Sequence, residues 1–529
     1  MGHKGAGPTG PMTSKAPPSP GILLRHIAIV SGKRETKRAS VERSAKAASI
    51  AASTVDGSAS ISIPRSAPEA LGLVVAFSLD EPERIGEICI VPSTGHGGAF
   101  VLGRGPAAPS DPGLRLEFAR RRAGIFERQS PLSSPRISRM QLELRADGTR
   151  ALSVKNVGRC PLSCNGTLVD SASVTPGDTL TLGRELVFLC VSGVAWIRPL
   201  DAWPLEPFGR ADSHGFVGES PLAWELRRQI AFMAPRSEHM LISGESGSGK
   251  ELVARAVHAL SHRAQMPFVA RNASTFPEGL VDAELFGHAK NYPNPGMPER
   301  QGLIGEASGG TLFLDEIAEL PPGLQTHLLR VLDAGEYQRL GEGGLRTSDL
   351  RLVAATNRPE QLRTDLAARL KLSLCVPSLN ERLEDVPLLL VHLLRTIGAS
   401  NPDVAARLFP DSDLNEHPRI APAFVEELLR RGYKTHVREL EARIWEALAE
   451  GPEHVLGPPQ RSPAVSRDAQ TGRSPKPLLK RKPVSLPDIR TALLENEWNL
   501  EHTWRALGLS SRHALARLMA KHGLRRPKE

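Results

Sequence analysis

The stretch His239-Met240-Leu241-Ile242-Ser243-Gly244-Glu245-Ser246-Gly247-Ser248-Gly249-Lys250-Glu251 constrains this chain more than any other. A short apolar run enters a glycine-rich turn. Apolar residues at helical spacing follow: Leu252, Val253, Ala256, Val257 and Leu260. Strand, loop, lysine and helix thus come in the order that a phosphate-binding loop requires. Gly244, Gly247 and Gly249 let the backbone curl until its N–H groups face a phosphate. Lys250 can reach the β- and γ-phosphates, and the helix start adds the positive end of its dipole. The pattern is G-x-x-x-x-G-K, with Glu251 where Ser or Thr is usual.

Two more strands fit the same architecture. Gly309-Gly310-Thr311-Leu312-Phe313-Leu314-Asp315-Glu316 is an apolar strand with two carboxylates at its C-terminal end. In an open α/β sheet that end is where ligands bind. Asp315 is placed to hold Mg²⁺, directly or through water, and Glu316 to orient or deprotonate an attacking water. Leu350–Thr356 ends at Asn357, whose amide can sense a γ-phosphate or position the water. Arg363 and Arg369 follow. Each taken alone reads as a surface residue, but together they could reach a nucleotide on a neighbouring subunit. An arginine so placed is worth ~10³–10⁵ in rate.

Length suggests roughly three folded units, and 40% hydrophobic residues exclude wholesale disorder. The net charge of +9 is unevenly spread. Residues 1–65 carry 10 Lys+Arg against 3 Asp+Glu, residues 451–485 carry 7 against 2, and residues 486–529 carry 8 against 5. The middle is acidic. Residues 1–68 read as a disordered basic tail and 451–485 as a proline-rich linker. Five cysteines suit a reducing, cytoplasmic setting, and Cys160 with Cys164 lacks the second pair of a zinc site. His258 and His262 read as helix residues, not a metal pair. No apolar run approaches ~20 residues, so no membrane span is expected. The start Met1-Gly2-His3-Lys4 carries no apolar secretion segment.

Taken together, the blocks between about 212 and 450 resemble the AAA+ ATPase domain of bacterial enhancer-binding proteins, the activators of sigma-54 RNA polymerase. His214-Gly215-Phe216-Val217-Gly218 looks like the family's opening motif, which places Val217 and Gly218 beside the adenine. Gly244, Glu245, Ser246, Gly247, Ser248, Gly249, Lys250 and Glu251 match its phosphate loop, the unusual Glu251 included. Arg271-Asn272-Ala273 is similar to the segment whose asparagine restrains the catalytic glutamate, here Asn272 on Glu316. Glu284-Leu285-Phe286-Gly287-His288 and the Asp315-Glu316 block match closely. Arg363 and Arg369 fall on the arginine-finger positions. Val437-Arg438-Glu439 resembles the sensor that reaches the nucleotide from a helical lid. The resemblance implies ATP and Mg²⁺ as cofactors, an α/β core at 210–378, a helical lid at 379–450 and a homo-oligomeric, hexameric ring.

One departure stands out. Where the family carries Gly-Ala-Phe-Thr-Gly-Ala, the loop that grips sigma-54, this chain reads Asn291-Tyr292-Pro293-Asn294-Pro295-Gly296. Two prolines fix φ and remove two N–H donors, so the loop is stiffer. A smaller departure is Gly432-Tyr433-Lys434-Thr435-His436, where the family has Trp-Pro-Gly-Asn.

Residues 69–200 alternate short apolar runs with turns, the spacing of an all-β sandwich. Its landmarks resemble a forkhead-associated (FHA) domain: Gly103-Arg104, Ser138-Arg139 with Gln141 in place of a histidine, and Asn165-Gly166-Thr167. The resemblance implies phosphothreonine binding through Arg104, Ser138, Arg139 and Asn165, and a Ser/Thr kinase upstream. Arg120-Arg121-Arg122 adds positive charge and otherwise reads as a solvated loop. Residues 486–529 resemble a Fis-type helix-turn-helix, which implies double-stranded DNA as a partner. Ser511, Arg512, His513 and Arg517 would face the major groove.

The leading expectation is an ATP-hydrolysing, DNA-binding transcription regulator that remodels RNA polymerase holoenzyme. A nucleotide-switched DNA-binding regulator that does not engage sigma-54 is the second. A phosphoprotein-binding scaffold is the third.

Overall fold

A computed structural model describes residues 69–451, apart from 93–98, 110, 112, 148–149, 195 and 278. It also describes 454–458, 486–495 and isolated positions beyond. All of these belong to one unit, Ser60–Glu529. The basic tail, most of the linker, and Ser511, Arg512, His513 and Arg517 lie outside the described residues. Of the last segment, one helix is described in full, Leu486–Glu495.

The first half is two β-sheets around a common core. The larger has eight strands, in the order Thr167–Val169, Leu162–Cys164, Thr179–Leu182, Leu186–Val194, Glu69–Ser78, Ile88–Val91, Phe118–Arg122, Ile125–Arg128. The smaller has five: Ser171–Val174, Ala151–Asn156, Leu142–Asp147, Phe100–Leu102 and Leu114–Arg115. Successive side chains of a strand point to opposite faces. Leu71, Leu73 and Val75 accordingly meet Leu102, Leu142, Leu144 and Phe188 between the sheets.

The opposite face of the larger sheet is not solvated. Ala76, Phe77, Val187 and Leu189 share a second core with Leu388, Leu389, Phe424 and Leu428 of the C-terminal helices. The run Leu71–Phe77 is therefore buried on both sides, which is why it is continuously apolar instead of alternating. Polar bonds flank this contact. The Thr179 and Thr181 hydroxyls donate to Glu426 at 3.1 Å each, and Arg121 pairs with Glu384 at 3.2 Å.

Burial pushes the Glu384 carboxyl up to about 7, against the pull of Arg121 and with a smaller push from Asp385. The folded chain holds this proton more tightly than the unfolded chain. The group's contribution to stability is therefore full below the ordinary carboxylate value and is lost as pH rises from about 4.5 to about 7. Glu384→Gln should flatten that part of the pH dependence of the unfolding temperature. An unchanged slope would contradict this account.

The second half is built on a five-stranded parallel sheet. Its order is Phe268–Asn272, Thr311–Asp315, Arg351–Thr356, Met240–Ser243, Leu372–Cys375. The strands are nearly all apolar because helices cover both faces. Arg351 is the exception in the third strand. It is buried and spends its guanidinium on the carbonyls of Met233, Ala234 and Glu238. Helices Val386–Ser400, Pro402–Leu408, Pro422–Leu429 and His436–Glu450 follow, in the stretch where a lid is expected. No helix among the described residues is long and apolar enough to cross a membrane.

Candidate nucleotide-binding site

The parallel sheet brings four predicted segments to one edge. Ser243 lies beside Thr356 and Cys375, and Asn272 beside Asp315. The loops leaving these strands therefore converge. Gly244, Gly247 and Gly249 all have positive φ, at 152°, 82° and 104°. At Gly247 a side chain is excluded twice over. Its backbone is left-handed, and a Cβ would lie 2.3 Å from the Thr435 carbonyl oxygen of the lid. Lys250 is buried. Its Nζ donates to the carbonyls of Gly244 at 3.0 Å and Glu245 at 3.3 Å, and stands 3.8 Å from Glu316 Oε1. The Ser248 hydroxyl is buried within the loop and has no hydrogen-bond partner among the described residues. A phosphate oxygen fits this cradle, because the loop holds an ammonium and a spare hydroxyl at one place.

Glu316 sits at φ 52°, a left-handed conformation that a non-glycine residue adopts only under constraint. Its N–H donates to Asp315 Oδ1 at 3.0 Å, and the Asn357 N–H donates to Glu316 Oε2 at 3.4 Å. Asn357 thus meets Glu316 through its backbone. Asn272 is placed differently from the expectation. Its side-chain oxygen accepts from the N–H and hydroxyl of Ser274 and caps a short turn. Among the described bonds Glu316 meets Lys250 and the Asn357 N–H, and none joins it to Asn272. The Glu251 carboxylate is exposed and pairs with Arg255.

The lid closes over the loop. Arg438 donates to the Ser246 hydroxyl at 3.0 Å. His436, fully buried, accepts the Leu379 N–H on Nδ1, so its other ring nitrogen carries the proton and donates to Glu245 at 2.6 Å. Val217 packs in the lid core, and Gly218 has φ 134° against the Asp385 carboxylate. Asp385 accepts the N–H groups of Glu219 and Ser220 at 2.9 Å each, and the Ser220 hydroxyl at 2.6 Å. Asp212 accepts from Trp203, His214, Phe216 and Arg227 and so pins the opening motif. Sequence reasoning passed over Asp385, Asp212 and His436. Their signal was charge or polarity beside a recognised motif, which surface residues share.

Arg363 and Arg369 are exposed and pair with Asp365 and Asp333. Neither touches the phosphate loop of its own chain through a bond among those described. In the sandwich, Arg104, Ser138 and Arg139 come together: the Arg104 N–H donates to the Ser138 carbonyl at 3.0 Å. Gln141, buried, ties their loops by accepting from Ser138 and donating to Asn156 and the Cys160 carbonyl. No bond among those described joins Asn165 to this cluster. It lies at the far end of the strand Leu162–Cys164, bonded to Asp178 and Thr179, and its neighbour Gly166 lies against Arg430 of the lid. His258 bonds Thr311 at 3.0 Å in the core, and no metal-binding cluster of His, Cys, Asp or Glu occurs among the described residues.

Residues 216–374 match the family profile described as the sigma-54 interaction domain. The transcriptional regulatory protein ZraR of Salmonella typhi is 33% identical over 323 residues, covering 59% of this chain and 70% of that protein. The chain belongs to the sigma-54-interacting transcriptional regulators. ZraR of Escherichia coli K12 is 38% identical over 250 residues, 46% of this chain and 54% of that one, so the chain spans about half the length of this relative. The structure of NtrX from Brucella abortus in complex with ATP is 27% identical, covers 58% of this chain and 69% of that one, and has a TM-score of 0.41. The stretch matched by the family profile takes in the phosphate loop, the acidic pair, Asn357 and both arginines.

It also takes in the rewritten loop. Every residue from Lys290 to Gln301 is exposed. The base is held by the reciprocal His288–Arg300 backbone bonds at 3.0 Å and by the Arg300–Glu284 ion pair. The tip folds on itself: the Asn291 N–H donates to Met297 O and the Gly296 N–H to Asn291 Oδ1, both at 2.9 Å. The Tyr292 ring lies over Gly341, where a Cβ would come within 2.4 Å of it.

Proposed function

We propose that the chain is an ATP-hydrolysing, DNA-binding transcription regulator that acts on RNA polymerase holoenzyme through sigma-54. The observation that carries this reading is the joint placement of Lys250, Glu316 and Arg438 around one glycine loop. The nucleotide supplies the phosphoanhydride bond, and Mg²⁺ offsets its charge. Asp315 suits Mg²⁺: one of its oxygens accepts the Glu316 N–H, and Mg²⁺ commonly needs only one or two carboxylates beside phosphate and water. Lys250 binds the phosphates, Glu316 takes the proton of the attacking water, and Arg438 ties the lid to the bound state. Arg363 and Arg369 complete the site of a neighbour in a hexameric ring. Asn272 acts by shaping the turn after its strand.

The remaining assignments follow the sequence. Residues 69–200 are an FHA-like domain that takes a phosphothreonine protein on Arg104, Ser138 and Arg139, under a Ser/Thr kinase. Residues 210–378 and 379–450 are the ATPase core and lid, 451–485 is a linker, and 486–529 bind double-stranded DNA. The setting is cytoplasmic. The test is transcription in vitro with sigma-54 and with the housekeeping sigma factor. Wild type is compared with a variant whose 291–296 loop is Gly-Ala-Phe-Thr-Gly-Ala. ATP-dependent open complexes at the sigma-54 promoter are expected, and more of them with the restored loop. ATP hydrolysis without open complexes from either protein would overturn the reading.

One observation favours the second reading, a nucleotide-switched regulator that does not engage sigma-54. The loop tip is bonded to itself and Tyr292 is laid on Gly341. On that reading the restored loop gains an activity that wild type lacks.

A further inference from the structure

Arg121 and Arg122 end a strand of the sandwich, yet their side chains are spent on the ATPase. Arg122 grips Glu219 with two parallel bonds, Nε to Oε2 at 3.2 Å and Nη2 to Oε1 at 2.8 Å. The same carboxylate accepts from Trp224 Nε1 at 3.0 Å and the Gly209 N–H at 3.1 Å. Glu219 is only 7% exposed, so this is a desolvated and fully used anion. Its own N–H donates to Asp385. Arg121 takes Glu384, the residue before Asp385, at 3.2 Å. Val217 and Gly218 lie between these two points: Val217 in the lid core, Gly218 against Asp385. Both lips of the seam where the adenine end is expected are thus held from outside the ATPase. Ala123, next in the chain, packs with Trp224 in the ATPase core.

We propose that Arg121 and Arg122 are positioning residues for the nucleotide, and that the docked sandwich sets nucleotide affinity by holding Val217–Ser220 and Leu379–Asp385 together. The inference rests on the nucleotide-binding reading above. Bidentate arginine–carboxylate pairs fix geometry as well as charge. Removing one partner leaves the other buried and unpaired, so the segment that carries it must move. Arg120 is the internal control. It lies on the same strand, but its hydrogen bond to the Glu83 carbonyl and its ion pair with Glu87 stay within the sandwich, and it reaches beyond only by lying over the Phe208 ring at 5.1 Å, without a bond to Glu219 or Glu384 among the described residues.

The test titrates a fluorescent ATP analogue into the full chain and measures ATP turnover in parallel. Arg122→Ala should weaken binding about tenfold, equivalent to about 1.4 kcal/mol. Turnover at saturating ATP should stay near wild type, since only uniform binding is lost. Arg121→Ala should act in the same direction, and Arg120→Ala should bind like wild type. Should Arg122→Ala fail to fold, Arg122→Lys is measured instead. It keeps the charge, loses the fork and should bind more weakly than wild type. Affinity unchanged in the folded Arg122 variant overturns the inference, as does an equal loss in Arg120→Ala. A wild-type chain that binds no nucleotide would sink the nucleotide reading itself, a separate result.

Discussion

Replacing Glu316 with Gln is expected to lower ATP turnover by ~10²–10⁴, the range for losing a positioned general base. Nucleotide binding should survive. Glutamine keeps the shape of the side chain, so it can still accept the Asn357 N–H that donates to Oε2 at 3.4 Å. Lys250 retains its two loop carbonyls, at 3.0 and 3.3 Å. Steady-state hydrolysis and nucleotide titration on the same preparation separate the two effects. Turnover close to wild type would remove Glu316 from the proposed chemistry and leave Asp315 to be considered. Loss of binding together with turnover would mean that Glu316 shapes the loop through Lys250 instead of acting on water.

The second large effect is expected at Arg363 and Arg369. Alanine at either position should reduce hydrolysis by ~10³ or more if the guanidinium stabilises charge in a neighbour's site. Both side chains are exposed, and among the described residues their ion-pair partners are the surface carboxylates Asp365 and Asp333. Exposed pairs of this kind contribute little to stability, so the folded chain should tolerate the change. Mixing gives the decisive measurement. Arg369→Ala and Lys250→Ala, each inactive alone, should recover activity when combined, because some interfaces then unite an intact loop with an intact arginine. No recovery from mixtures shown to co-assemble would place the arginines in cis or outside the mechanism.

The legibility of this site in the sequence was uneven, for physical reasons. Gly244 to Lys250 and Asp315-Glu316 were readable because backbone curvature and strand-end carboxylates each demand particular residue types at fixed offsets. Arg438 was singled out through the motif around it, and it bonds Ser246 of the loop. Partner choice was not readable. Asn272 carries an amide that suits Glu316, and its oxygen is held by the N–H and hydroxyl of Ser274, a local bond that no motif announces. Glu251 follows the loop, and its carboxylate pairs with Arg255 one helical turn on. Asn165 was assigned by its resemblance to the FHA asparagine loop; that the neighbouring Gly166 lies against Arg430 was not readable. Arg120-Arg121-Arg122 looked like one solvated charge cluster. Its meaning depends on acidic residues about 100 and 260 positions away, Glu219 and Glu384, and no local pattern reports those. At the sandwich, Gln141 shows the reverse case. An unexpected residue fills a buried linking position with hydrogen bonds on both ends of its amide.

The strand Glu69–Ser78 belongs to two cores at once, one between the sheets and one beneath the lid helices. Such a strand makes the sandwich a poor candidate for transplantation. A foreign input domain grafted ahead of residue 210 would leave Leu388, Leu389 and Phe424 without the cover of Ala76, Phe77, Val187 and Leu189. Each large apolar side chain stripped of cover costs about 1.5–3 kcal/mol. Swapping inputs in this regulator therefore means carrying the outward face of one sheet along with whatever signal the new domain reads.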